Sequence, residues 1–424
     1  MACVMDVIIV FVVVGSVVSG QIKVEKDDNI EPFSILCRIY NVAKNPPINY
    51  VDLQEPAEIV KEINSLNASL VEPKLPNETE QMENSVGARL PQTATREAAL
   101  AQLSLNQITQ KAHKILDEIK KMKVNENIEK AKADFSQVIF GEGGNESNLC
   151  HATVSGMDNR SAVCGEPGAQ KKGSHAGKNL VVDFFCLCAQ RTDKEGANQV
   201  CGFYVGRISH YYGWDDKNGP WGSSTMWASI KGGCGKHMHQ HTKSTAEARH
   251  ILDQFLKHLK TGGIYRWGDN SQKTVDGSDR KEGMLGTGVG TKDSGSGPVC
   301  DGKEGKNGRE GTVSAGVCVY YGPEKWQENI DWLKQLKAAL VTVDYINNQT
   351  ASIQRIIKKL QMLQDRAEKI YETTKVITEV QNTAGLVAFQ NASGNITAYN
   401  ATRTHTYSSS SHPCSIPKWV LFLL

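Results

Sequence analysis

The apolar positions of this chain fall into two widely separated heptad rows. Between residues 94 and 122, Ala101, Leu105, Ile108, Ala112, Ile115, Ile119 and Met122 recur in alternating steps of four and three. That is the period of a helix that keeps one seam against a partner. Arg96, Glu97, Gln110, Lys111, Lys114, Asp117, Glu118, Lys120 and Lys121 fill the positions between and keep the other faces in water. The row stops near Val124. A longer row runs from Trp326 to about Val380 without proline or glycine, through Trp332, Leu336, Ala339, Val343, Ile346, Ile353, Ile357, Leu360, Ala367 and Tyr371. Leu363, Ile370 and Ile377 widen its face enough to meet two neighbours. Such a helix is roughly 80 Å long at about 1.5 Å per residue, too long to stand without a partner. Pro323-Glu324 reads as its opening, with proline in the first turn and a carboxylate at the positive end of the dipole.

Between the rows, from Gly141 to Gly322, the pattern changes. Cys150, Cys164, Cys186, Cys188, Cys201, Cys234, Cys300 and Cys318 all lie there, and Gly283 to Gly311 reads as a polar, glycine-rich loop. A shorter helix is expected over Ser244 to Leu259, with Ile251, Leu252, Phe255 and Leu259 on its apolar face. Another is expected over Glu55 to Leu66, with proline breaks at Pro46, Pro47, Pro73 and Pro76. The predicted fold is therefore mainly α: an elongated antiparallel helical hairpin or coiled coil, with rods over about 94–123 and 324–380. It carries a disulfide-stapled, loop-rich head over about 141–322 that lacks a compact core of its own.

The 424 residues and 39% hydrophobic content suffice for a buried core. Lys plus Arg at 48 against Asp plus Glu at 46 leaves no field that favours nucleic acid. Val7 to Val18 is an apolar run of signal-peptide length ending in Val18-Ser19-Gly20, so residues 1–20 are expected to be removed. Cys3 leaves with them, and the remaining thiols enter an oxidising compartment. Asn-X-Ser/Thr acceptors stand at Asn67, Asn77, Asn145, Asn159, Asn348, Asn391, Asn395 and Asn400. Residues 381–411 read as a glycosylated spacer, and 21–380 as one elongated surface domain.

At the end of the chain, Ser408-Ser409-Ser410-Ser411 precede a polar stretch and then Trp419-Val-Leu-Phe-Leu-Leu424. Small residues, spacer, apolar end is the order of a glycosylphosphatidylinositol (GPI) signal, with Ser408 or Ser409 as the attachment residue and 412–424 as the removed tail. Cys414 would leave with that tail. The bridge candidates are then Cys37, Cys150, Cys164, Cys186, Cys188, Cys201, Cys234, Cys300 and Cys318, an odd set that implies one free thiol or one bridge between chains.

Chemistry is thinly represented. Cys234-Gly-Lys-His237-Met-His239-Gln-His241 has the imidazoles of a metal site but no carboxylate at a recognisable spacing, and is read as an exposed polar loop. Cys186-Leu-Cys188 lacks the two-residue spacing of a redox pair. Gly286-Thr-Gly288-Val-Gly290-Thr291-Lys292 does not close in phosphate-loop register, and neither a Gly-X-Ser-X-Gly elbow nor a His-Glu-X-X-His helix occurs. No catalytic residue, metal or cofactor is assigned, and an enzyme is not expected.

Several features together resemble the variant surface glycoproteins of African trypanosomes, in the type with a B-like cysteine arrangement. They are the signal peptide, the heptad helix ending near Met122, Cys150 and Cys164, the segment Asp183-Phe-Phe-Cys186-Leu-Cys188-Ala, Cys201, Cys234, the late long helix and the serine-rich end. The resemblance implies a helical hairpin that homodimerises, a GPI anchor at the outer face of the plasma membrane, and a dense coat that meets host antibodies. Its implied function is immune evasion by antigenic variation, with Gly283–Gly311 as a stretch free to vary. A receptor for a host serum protein on the same scaffold is the alternative, for which Trp214, Trp221, Trp227 and Trp267 would supply an apolar patch.

Overall fold

The computed structural model describes residues 22–71, 96–206, 212–237, 241–268, 275, 277–291, 297–305, 307–308, 311–312 and 314–391. The signal peptide, Asn77, Asn395, Asn400, Ser408, Ser409 and the apolar tail lie outside them, as does the side chain of Asn391. The chain is mainly helical: α1 Ile30–Lys44, α2 Glu55–Val71, α3 Arg96–Lys121, α4 Val124–Phe140, α5 Arg160–Cys164, α6 Leu180–Cys188, α7 Ser223–His237, α8 Thr245–Thr261, α9 Trp326–Asn329 and α10 Asp331–Asn391. Strands β1 Gly165–Glu166 with β2 Lys171–Lys172, β3 Gly213–Asp215 with β4 Gly219–Trp221, and β8 Asn307–Gly308 with β9 Gly311–Thr312 form short ribbons. Strands β5 Gly263–Trp267, β6 Gly277–Lys281, β7 Met284–Gly290 and β10 Ala315–Tyr320 form one sheet in the order β10-β7-β5-β6.

The heptad rows are the buried faces of α3 and α10. Ala101, Leu105, Ile108, Ala112 and Ile119 are buried on the first, and Trp332, Leu336, Ala339, Val343, Ile346, Ile353, Ile357, Leu360 and Ala367 on the second. The end of the first row is a break rather than a stop. Lys123 adopts a left-handed conformation (φ 50°), and α4 resumes with Val124, Ile128, Ala131, Phe135 and Val138 buried. The same four-three rhythm restarts two residues out of phase, which a continuous helix cannot accommodate on one face. The long helix likewise opens later than Pro323-Glu324 suggests. Lys325 is left-handed, α9 makes a single turn, and extended Ile330 (φ −101°, ψ 105°) separates it from α10.

The first part of the expected Gly283–Gly311 loop is corrected: residues 284–290 are β7, which is buried along its whole length and is an inner strand of the sheet. It pairs antiparallel with β10 and parallel with β5. Its glycines are there because neighbours crowd the backbone, not because the segment is solvated. A Cβ on Gly286 (φ +105°) would lie 2.5 Å from Val317 O, and one on Gly288 would lie 2.4 Å from Pro298 Cβ. The head therefore has a core of its own, contrary to the expectation from its loop-like composition. Helix α8 covers the anticipated segment. Ser244 Oγ accepts from Glu247 N–H at 3.2 Å and starts it, and Gly262 at φ +85° ends it.

By contact the chain divides into two units. The unit that takes in residues 1–61 and 111–362 holds the head, α1, α4 and the first half of α10. Within it, a polar belt on α10 ties two irregular segments to the helix. Asn347 Oδ1 accepts from Asn49 N–H at 2.8 Å and its Nδ2 donates to Pro47 O at 3.0 Å, while Gln349 Nε2 donates to Met122 O at 3.3 Å. The unit that takes in residues 62–110 and 363–424 is held by polar contacts of its own. There Asn67 bridges Asn106 and Gln102, and Gln364 donates to Glu62.

Candidate functional site

Helix α6 organises the head. Every residue from Leu180 to Cys188 is buried, because Leu180, Val181, Val182, Phe184, Phe185 and Leu187 give it apolar side chains all round. Asn179 caps its start by accepting from Val182 N–H at 2.9 Å. Disulfides Cys164–Cys186 and Cys188–Cys201 fasten its last turn to α5 and to the following loop. Cys37–Cys234 joins α1 to α7, and Cys300–Cys318 joins a loop to β10. Cys150, one of the bridge candidates, is instead a free and exposed thiol.

Two buried ionisable side chains complete the bracing. Asp183 Oδ1 accepts from Gly177 N–H at 2.8 Å, and Oδ2 accepts from Tyr321 Oη at 2.8 Å and Trp332 Nε1 at 2.6 Å. One carboxyl thus joins α6 to the end of β10 and the first turn of α10. Burial pushes its pKa up to about 7, against the opposing pull of the three donors. At the other end of α6, Arg160 donates to Ala189 O at 2.7 Å and to Cys186 O at 2.9 Å. These are carbonyls that the helix end leaves without partners. The Arg160 guanidinium also lies 4.9 Å from the centre of the Trp214 ring, a cation–π contact. Burial, with nearby Arg191, lowers its pKa to about 9. Arg191 pairs with Asp193 and Asp216 and holds the loops beside it.

The sequence pattern singles out Asp183-Phe-Phe-Cys186-Leu-Cys188 but assigns no part to Asp183, and it passes over Arg160 entirely. Arg160 is the middle residue of the acceptor Asn159-Arg160-Ser161, where a solvated side chain is the ordinary expectation. A charged residue inside a stretch otherwise wholly apolar is the one signal that points to Asp183.

The tryptophans are mostly structural. Trp214 and Trp227 are buried core residues, Trp267 is half-buried, and Trp221 alone among the four is exposed. His241 is exposed, whereas His239 and the side chain of His237 lie outside the described residues. Among the described residues no group of three His, Cys, Asp or Glu side chains is placed to hold a metal ion. The clefts are open. One of about 800 Å³ lies between α1 and α8 against Glu31, Arg38, Lys257 and His258. There Glu31 faces His258 at 3.7 Å, and burial lowers the His258 pKa.

The acceptor asparagines differ in their surroundings. Asn145, Asn159 and Asn348 are exposed, while Asn67 is half-buried and uses both side-chain atoms against Asn106 and Gln102.

A helical chain with a cross-braced, disulfide-rich head is the class that these features define, and residues 11–99 and 74–362 match the family described as the trypanosomal VSG domain. The chain belongs to this family of variant surface glycoproteins. It is 26% identical over 245 residues to variant surface glycoprotein YnAT 1.3 of Trypanosoma congolense, covering 57% of this chain and 52% of that protein. With variant surface glycoprotein YnAT 1.1 of the same organism it shares 23% identity over 215 residues, covering 47% and 48%. The chain spans about half the length of these relatives.

The bridge between α1 and α7 supplies a first prediction. Replacing Cys37 and Cys234 together by serine should cost about 3–4 kcal/mol, because the bridge closes a long loop that the unfolded chain would otherwise explore. Denaturant titration of the double variant checks this, and an unchanged midpoint would mean that α1 is held by packing alone.

Proposed function

We propose that the protein is a GPI-anchored surface coat glycoprotein that shields the cell and evades immunity by antigenic variation. The family match, which takes in the first heptad row, the head and most of the second row, is the observation that carries this reading. Physically, α6 with its two bridges and two buried ionisable groups supplies a fixed frame, so that exposed segments can change without altering it. Because β7 belongs to the core, residues 284–290 are not part of the variable surface, which takes in exposed segments such as Asn145–Ser147, Tyr204, Tyr212 and Lys217–Asn218. No described helix is long and apolar enough to cross a membrane, and the order of residues around Ser408 and Ser409 is what supports a lipid anchor.

The protein is expected to act as a homodimer and not as an enzyme, with the residue 21–380 domain presented above a glycosylated spacer. The receptor alternative loses its main support, since Trp214 and Trp227 are core residues. Phospholipase C treatment of intact cells, followed by mass spectrometry of the C-terminal peptide, tests the anchor. The expected result is release of a chain ending at Ser408 or Ser409 with a glycolipid remnant. A chain that stays on the cells with residues 412–424 intact would defeat the reading.

Glycopeptide mapping of the released protein should find sugar at Asn145 and Asn159. It should find Asn67 bare in the folded, released protein, because a chain that had received a glycan there before folding could not close the Asn67–Asn106 contact between α2 and α3. An occupied Asn67 would contradict that packing.

A further inference from the structure

On the first half of α10 an apolar row faces solvent: Val341 is 63% exposed and Tyr345 is 58% exposed. Residues four apart on a helix share a face, and so do residues three apart. Asn348, the exposed first residue of the acceptor Asn348-Gln349-Thr350, therefore sits on the same face, three residues beyond Tyr345 and seven beyond Val341. Helical side chains lean toward the N-terminus, so Asn348 leans toward Tyr345 and not away from it. Its immediate neighbours are engaged elsewhere. Asn347 holds Asn49 and Pro47, while Gln349 donates to Met122 O and to Tyr345 Oη at 3.0 Å. The latter bond holds the Tyr345 hydroxyl against the next turn of the helix, the turn that carries the acceptor.

We propose that Asn348 carries an N-linked glycan whose first sugars lie over Tyr345 and Val341 and cover this apolar row. The sugar ring offers C–H groups to the aromatic face, and its hydroxyls remain in water. In the attachment step Asn348 Nδ2 forms a bond to C1 of N-acetylglucosamine. A polyprenyl diphosphate donor breaks its C1–O bond and leaves, and the nitrogen gives up one proton. The step belongs to the unfolded chain. Thr350, whose hydroxyl the acceptor motif requires, is buried in the folded protein, with Oγ1 3.1 Å from Asn49 O and 2.9 Å from Ile346 O. A consequence is that this face is not where two copies meet; any self-association uses another face of the helix.

The proposal rests on the chain being a secreted glycoprotein. Its test uses the full chain produced in an N-glycosylating host, with glycopeptide mapping and hydroxyl-radical footprinting of Val341 and Tyr345. The wild type should be occupied at Asn348 and weakly labelled at both residues. Asn348→Gln should raise their labelling several-fold, and enzymatic removal of glycan from folded wild type should do the same if the variant folds poorly. Thr350→Ser, which keeps the hydroxyl, should retain sugar and protection. Sugar at Asn145 or Asn159 with Asn348 bare would overturn this proposal alone, whereas no sugar at any acceptor would overturn the glycoprotein reading as well. Labelling that is unchanged by loss of sugar, or that follows protein concentration instead, would also overturn it.

Discussion

Asp183→Ala should be among the most destabilising single changes in the protein, costing at least about 3 kcal/mol, because it strands three buried donors of about 1–3 kcal/mol each. The donors are Gly177 N–H, Tyr321 Oη and Trp332 Nε1, and none can reach water from the interior. Denaturant titration at neutral pH measures the loss. A cost under about 1 kcal/mol, within the range of an ordinary surface change, would mean that Asp183 does not join α6 to α10.

The same residue carries a pH signature. Its folded pKa of about 7 lies above the ordinary carboxyl value of 3.8, so the folded state binds the proton more tightly than the unfolded state. Its favourable contribution is therefore fully present below 3.8 and is lost as pH rises through about 7. An asparagine at this position would have no such proton to lose. The stability advantage of wild type over Asp183→Asn should accordingly shrink by about 2–3 kcal/mol between about pH 5 and pH 8. Asp193, Asp215 and Asp344 have lowered pKa values and act in the opposite direction, losing their contribution at acid pH. Comparing the variant with wild type cancels those contributions.

Arg160→Met should cost about 2–6 kcal/mol, because two buried carbonyl acceptors lose their donor at about 1–3 kcal/mol each. It leaves Ala189 O and Cys186 O without donors and removes the cation over Trp214. Arg160→Lys should recover less than half of the loss, since one ammonium cannot serve the spaced carbonyls and also stack on the ring. Thermal unfolding of the two variants decides the matter. Equal stability of both variants and wild type would show that the end of α6 is held by its disulfides alone.

How far the fold is legible in the sequence follows from what each signal measures. Heptad spacing reports which face of a helix is buried, so the rows from Ala101 to Ile119 and from Trp332 to Ala367 can be read from spacing alone. Spacing does not report a change of phase, and α4 is hidden because its row begins two residues early after Lys123. Helix α8 is legible from its serine cap as well as its apolar face. Strand β7 is not, because glycine signals a loop by composition while here it permits close backbone approach at Gly286 and Gly288. The bracing of the head is half legible. Cysteines announce staples but not partners, Asp183 is marked only by its apolar surroundings, and Arg160 looks like a surface residue until burial is known. Acceptor motifs name asparagines without distinguishing Asn67, which is tied to a neighbouring helix, from Asn348, which faces solvent.

The most direct measurement of the coat reading is a count of copies on living cells, by surface labelling and quantitative mass spectrometry of all exposed proteins. A coat protein must cover area, so this chain should dominate the labelled material on cells that express it and should be released almost wholly by phospholipase C. A chain forming only a minor fraction of the surface, with another protein supplying the bulk, would contradict the account.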